Sequence, residues 1–113
     1  MDYTEAYFTY IEELVESEID RADTKVLEQC KNLFNIKGTE LDAVRVGKKQ
    51  IPKIKVELSL EIFDNEDESW EEIAKIKPMW LKTEKDVEKK LKPALEELSL
   101  LAAESDFLTL HCQ

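Results

Sequence analysis

The sequence predicts a small α+β domain, with an antiparallel sheet built around residues 54–62 and packed against N- and C-terminal helices. Three observations carry this expectation. Ile54, Val56, Leu58, Leu60 and Ile62 alternate strictly with Lys55, Glu57, Ser59 and Glu61, a period of two that marks a half-buried strand. Both ends of the chain instead carry apolar residues at helical spacing. The 113 residues, 42% of them hydrophobic, fill one core and leave no room for a second of similar size, so residues 1–113 are expected to form a single domain.

In residues 1–20, Tyr3, Tyr7, Tyr10, Ile11, Leu14 and Val15 line one helical face, with Glu5, Glu12, Glu13 and Glu16 largely away from it. Thr4 can cap this helix, and Glu5 suits the positive end of its dipole. Glu18, Asp20 and Asp23 crowd the far end, where the dipole disfavours them, so a frayed end or a break is expected near Ile19–Asp23. A second helix is then expected from Lys25 to Asn35, on the spacing of Val26, Leu27, Cys30, Leu33 and Phe34. Gly38 would end it with a left-handed residue. Residues 39–47 read equally as a short helix opened by Thr39 and Asp42 or as a strand through Val44 and Val46, with a turn at Gly47.

Pro52 lacks an amide hydrogen and suits the start of the alternating strand, which spans about 30 Å at ~3.3 Å per residue. Its candidate partners are Val44–Val46, Phe107–His111 and, more weakly, Leu41–Ala43. Residues 64–69 are a loop by composition. Ser69 with Glu72 imitates a capping box for a short helix bearing Trp70, Ile73 and Ala74, which Lys77-Pro78 would end. Thr83 and Asp86 mark the start of the last helix, with Val87, Leu91, Ala94, Leu95, Leu98, Leu101 and Ala102 on its inner face. Pro93 inside that pattern calls for a kink or two abutting helices. Glu104-Ser105-Asp106 would turn the chain into a closing strand at Phe107–His111.

Composition narrows the function. Sixteen basic against 26 acidic residues give a formal net charge of −10, which argues against direct nucleic-acid binding. No apolar run of 18 or more exists for a membrane span, and Met1–Glu5 lacks the start of a signal peptide. Two cysteines without a Cys-x-x-Cys pair fit a reducing, cytoplasmic setting. Asp64, Glu66 and Glu68 fall at positions 1, 3 and 5 of a calcium loop, but Ser69 and Lys75 stand where Gly and a bidentate Glu are required. His111 is the sole histidine, so a zinc site is not assembled. A Cys30–His111 pair is the only nucleophile–base combination, and Cys30 reads as an inert thiol on an apolar face. No phosphate-binding glycine loop is present with two isolated glycines. No cofactor, metal or catalytic set is therefore expected.

Charge is unevenly spread. Residues 1–28 hold nine acids against two bases, and residues 75–92 hold seven bases against three acids. Solvated helix faces with pairing between the two regions would account for this. An acidic face that meets a basic partner is the functional alternative, in its specific form a carboxylate array imitating DNA phosphates. Tyr3, Tyr7, Tyr10, Phe8, Trp70 and Trp80 serve either a core or a protein contact. The expectation is a non-enzymatic, acidic protein-binding module of the immunity-protein, antitoxin or phage-encoded inhibitor type. Its partner would be a protein with a basic surface or nucleic-acid-binding cleft, met by Glu12, Glu13 and Glu16 on the first helix and by Asp64, Glu66, Asp67 and Glu68 in the loop. The alternative is an assembly subunit that self-associates as a homo-oligomer through helices or a sheet edge at Ile54–Ile62 or Phe107–Leu110. A carboxylate hydrolase would need a concave site with a raised carboxyl pKa, which nothing in the sequence marks.

Overall fold

The computed structural model describes residues 3–38, 42–44 and 53–111. The Thr39, Gly47 and Pro52 expectations lie outside them. The chain folds as an α+β arrangement of two three-stranded antiparallel sheets and two long helices, with extents of 56 × 23 × 21 Å.

Helix α1 runs unbroken over Tyr3–Gln29. The expected break at Ile19–Asp23 does not occur because the acids there find partners. Glu18 is buried and paired with Arg21 one turn on, at 3.5 Å. The Asp23 carboxylate accepts the Ile36 backbone N–H at 2.9 Å. The expected second helix over Lys25–Asn35 is likewise replaced. Its first part is the tail of α1, and Phe34–Gly38 forms strand β1, burying Phe34 and Ile36. Gly38 ends a strand, not a helix. A Cβ there would lie 2.6 Å from Ile19 Cδ1, so close approach to α1 explains the glycine.

The remaining strands are β2 (Asp42–Val44), β3 (Lys53–Val56), β4 (Leu58–Asp64), β5 (Ser69–Lys75) and β6 (Met79–Leu81). One sheet has the order β1-β4-β5 and the other β2-β3-β6. The alternating stretch thus divides at Glu57 and supplies the central strand of both sheets. Its parity is kept across the division, so Ile54, Val56, Leu58 and Leu60 all enter one core with Ile11, Val15 and Leu98. Because β3 and β4 are central, the sheet edge expected at Ile54–Ile62 is not available.

The expected helix after Ser69 is strand β5. Antiparallel pairing sets Ser69 opposite Asp64 and Trp70 opposite Phe63, and these ladder bonds win over the local Ser69–Glu72 cap. A bulge leaves Ile73 as the extra residue between the Glu61–Glu72 and Leu60–Ala74 pairs.

The last helix begins as expected at Thr83. Asp86 Oδ2 accepts the N–H groups of Lys82 at 2.8 Å and Thr83 at 3.1 Å. It continues as α2 (Glu84–Asp86), a π-helical turn (Val87–Leu91) and α3 (Lys92–His111). Helical segments abut beside Pro93, one of the two expected outcomes, and the junction is a π-helical turn. The Lys92 N–H donates to Val87 O, five residues back, which widens the backbone ahead of a residue that has no N–H to give. The closing strand expected at Phe107–His111 is the end of α3, and the expected turn at Glu104–Asp106 is helical.

Asp106, 8% exposed, joins the two helices. Its carboxylate accepts Lys31 N–H at 3.1 Å, Asn32 N–H at 2.8 Å and the Asn32 side-chain amide at 2.8 Å. Burial works to raise its pKa, and these donors together outweigh burial and hold it below the ordinary value of 3.8. A lowered folded-state pKa stabilises the fold fully above the ordinary carboxylate value, and that contribution disappears as pH falls through the folded value. Asp106→Ala is expected to cost about 2–4 kcal/mol by denaturant unfolding at neutral pH, and Asp106→Asn about 1–2 kcal/mol. The difference between wild type and the Asn variant should begin to narrow near about pH 4 and close as pH falls through the lowered folded-state value.

Candidate interaction surface

The sequence-derived residues separate into two groups. Glu12 is half-buried, and Glu13 and Glu16 are exposed on α1. The second group sits on the β4–β5 turn. There Asp64 Oδ1 accepts the backbone N–H of Glu66 at 2.9 Å and of Asp67 at 3.5 Å. Asp64 therefore builds the turn, while Glu66, Asp67 and Glu68 are exposed on it. The turn lies past Leu33, whose carbonyl takes the Phe63 N–H at 3.0 Å, close to where α1 ends. Glu12–Glu16 lie 13 or more residues back along α1, about 20 Å of helix at ~1.5 Å per residue. The fold does not bring the two groups together.

The sequence reading missed the outer face of the β1-β4-β5 sheet. Register aligns three rows across it. Leu33, Phe63 and Trp70 form an apolar row. Asn35, Glu61 and Glu72 form the next, and Lys37, Ser59 and Lys75 the third. Trp70 is 46% exposed and meets Phe63 edge-on, with ring centroids 5.4 Å apart at 62°. Glu61 Oε1 takes Lys37 Nζ at 3.5 Å. Its Oε2 is buried and has no hydrogen-bond donor among the described residues. The four-residue link between Asp64 and Ser69, flanked by Phe63 and Trp70, is the hairpin signal that could have revealed this face.

β5 is an edge strand on which every residue but Ala74 is exposed. Among the described residues, Glu13, Glu16, Glu66, Asp67, Glu68, Glu71 and Glu72 take part in no ion pair. Of the other aromatic candidates, the Tyr3 side chain lies outside the described residues, and the rest make contacts within the fold. Tyr10 donates its hydroxyl to Glu84 Oε1, and the Glu84 backbone N–H reaches the Tyr7 hydroxyl at 3.4 Å. Together they clamp α1 to the start of α2. The hydrogen bond to Glu84 raises the Tyr10 pKa. Phe8 packs against the core. Trp80 lies opposite Lys55 in β3, whose Nζ stands 5.9 Å from the ring centroid.

Other concave and reactive groups offer less. A cleft of about 320 Å³ between α1 and α3 is lined by Glu18, Arg21, Lys25, Lys92, Glu96 and Ser99 among others. Glu18 there pairs with Arg21, Lys92 bonds Glu88 at 2.7 Å, and Ser99 donates to Leu95 O. Cys30 follows α1 rather than sitting on its face. Burial, then the Asp106 charge, raises its pKa and keeps the thiol protonated. The His111 side chain lies outside the described residues. Among the described residues, no three His, Cys, Asp or Glu side chains cluster as a metal would require, and no helix is long and apolar enough to cross a membrane. No protein-family model, curated protein or solved structure matches the chain.

Two stability outcomes follow from the hairpin. Glu61 and Glu72 face each other across the strands, a like-charge pair that weakens the sheet. Glu72→Lys is expected to raise unfolding free energy by about 0.5–1 kcal/mol. Glu68 adopts φ 52°, a left-handed conformation that costs a side-chain-bearing residue more than glycine. Glu68→Gly should stabilise by about 0.5–1 kcal/mol in the same denaturation assay.

Proposed function

We propose that this protein is a non-enzymatic, acidic binding module that blocks a basic site on a partner protein, as a stoichiometric inhibitor or neutraliser of the immunity-protein, antitoxin or phage-encoded type. The observation that supports this most is the β4–β5 hairpin. It holds Trp70, Ile73, Glu66, Asp67, Glu68, Glu71 and Glu72 exposed on hydrogen-bonded backbone. A surface fixed by a strand ladder loses little conformational entropy on binding, so its aromatic and carboxylate contacts translate into affinity. The Glu13 and Glu16 stripe of α1 adds to the negative field that draws a cationic partner in.

The test is a low-salt capture of a basic partner from the source cells, followed by association kinetics. Reversing Glu66, Asp67 and Glu68 to Lys should slow association by about tenfold or more at low ionic strength. The rates should converge near ~0.5 M salt, where the field is screened. Reversal of Glu12, Glu13 and Glu16 measures the helix contribution separately. An association rate indifferent to both sets of changes would remove the reading.

Self-association is the second reading, and α3 favours it. Leu100, 65% exposed, and Phe107 lie seven residues apart on the helix face turned from the core. Light scattering separates the two readings. A monomer supports the inhibitor, and a defined oligomer that dissociates on Leu100→Glu supports the subunit.

A further inference from the structure

The outer face of the β1-β4-β5 sheet has a chemistry more specific than negative charge. Glu61 is surrounded by strand neighbours, with its side chain only 16% exposed. A carboxylate offers about four acceptor sites. Here one oxygen shares a single ammonium at 3.5 Å, and the other takes no donor from a described residue. An under-used carboxylate held away from water favours any donor that reaches it. Directly across the ladder stands Glu72, exposed and without an ion pair among the described residues. One row along stand Phe63 and Trp70, their rings in edge contact and Trp70 46% exposed. Lys37, which supplies the one ammonium, is itself 55% exposed and free to swing aside.

We propose that this face is the receptor for an arginine side chain of the basic partner, resting on the binding-module reading above and naming the chemistry of its contact. A guanidinium is planar and carries five donors. It can stack on the Trp70 ring while its N–H groups reach the carboxylates of Glu61 and Glu72, which stand opposite each other on paired strands whose backbones are about 4.8 Å apart. Lysine fits less well, since an ammonium neither stacks nor bridges two carboxylates in a plane. The exposed Leu33 next to Phe63 then takes the apolar stem of the incoming residue. Charge complementarity selects this occupant over a second copy of the chain, which would set one −10 molecule against another. The bulge at Ile73 and the carboxylates of β5 also hinder pairing between two copies along this edge.

The test uses a blocked eight-residue peptide of alternating Arg and Thr, followed by NMR on the full chain at low salt. The Trp70 indole N–H is assigned with Trp70→Phe. Saturable shifts are expected at Trp70, Glu61 and Glu72. The Lys-for-Arg peptide should bind about tenfold more weakly, and the citrulline peptide should not bind. Glu61→Gln and Glu72→Gln, which keep side-chain shape, should each weaken the arginine peptide by about tenfold. Equal affinity for arginine and lysine peptides would overturn the assignment. So would shifts centred on Glu66–Glu68 that both Gln variants leave intact, and in that case the broader acidic-module reading still stands. Shifts at Trp70 that appear on concentrating the protein alone would assign the face to a second copy instead. No response to any cationic peptide, together with no capture of a basic partner, removes both readings.

Discussion

The structure depends on one seam of side chains. Ile54, Val56, Leu58 and Leu60 keep their parity through the change of sheet at Glu57, and all four are buried in a single core cluster. Had the strand gained or lost one residue at that point, half of these side chains would have turned to solvent. The two sheets therefore share a core because one alternating segment threads both. The first helix covers β1, and the last packs on α1 and β4.

Beyond the seam, the fold is closed by carboxylates acting over long sequence separations. Asp106 caps the chain after α1 from 74 and 75 residues away, Asp23 holds the start of β1, and Glu84 meets two tyrosines of α1. A chain this acidic thus uses part of its charge internally. Acids are left exposed on α1, on the β4–β5 hairpin and, as Glu96, Glu97 and Glu104, on α3. The hairpin and the first helix occupy separate regions, so they act as distinct surfaces.

The hairpin face combines features that a purely structural strand does not need. An edge strand protects itself with charges and a bulge, and β5 has both. Protection alone does not account for an open tryptophan beside a carboxylate with unused acceptor capacity. Matching donors from outside would relieve the like-charge opposition of Glu61 and Glu72 and the desolvation of Glu61 together.

Strict alternation at 54–62 determined extended backbone and the core face by itself, because period two admits one arrangement of buried side chains, but the single expected strand is divided at Glu57 between two sheets by its pairing partners. The Thr83–Asp86 cap likewise determined where the last helix begins, since its hydrogen bonds span four residues. Other segments were decided by tertiary contacts. Ser69–Lys75 carries a helix cap and becomes a strand because Phe63 and the β4 ladder lie beside it. Residues 19–23 look like a break and stay helical because Arg21 pairs with Glu18 and the Ile36 amide donates a hydrogen bond to Asp23. Phe107–His111 has apolar residues at both parities, so its local pattern contained no choice between strand and helix. The candidate site shared this fate: its acidic turn was legible from composition, whereas the Phe63, Trp70, Glu61 and Glu72 face exists only once register is fixed across three strands.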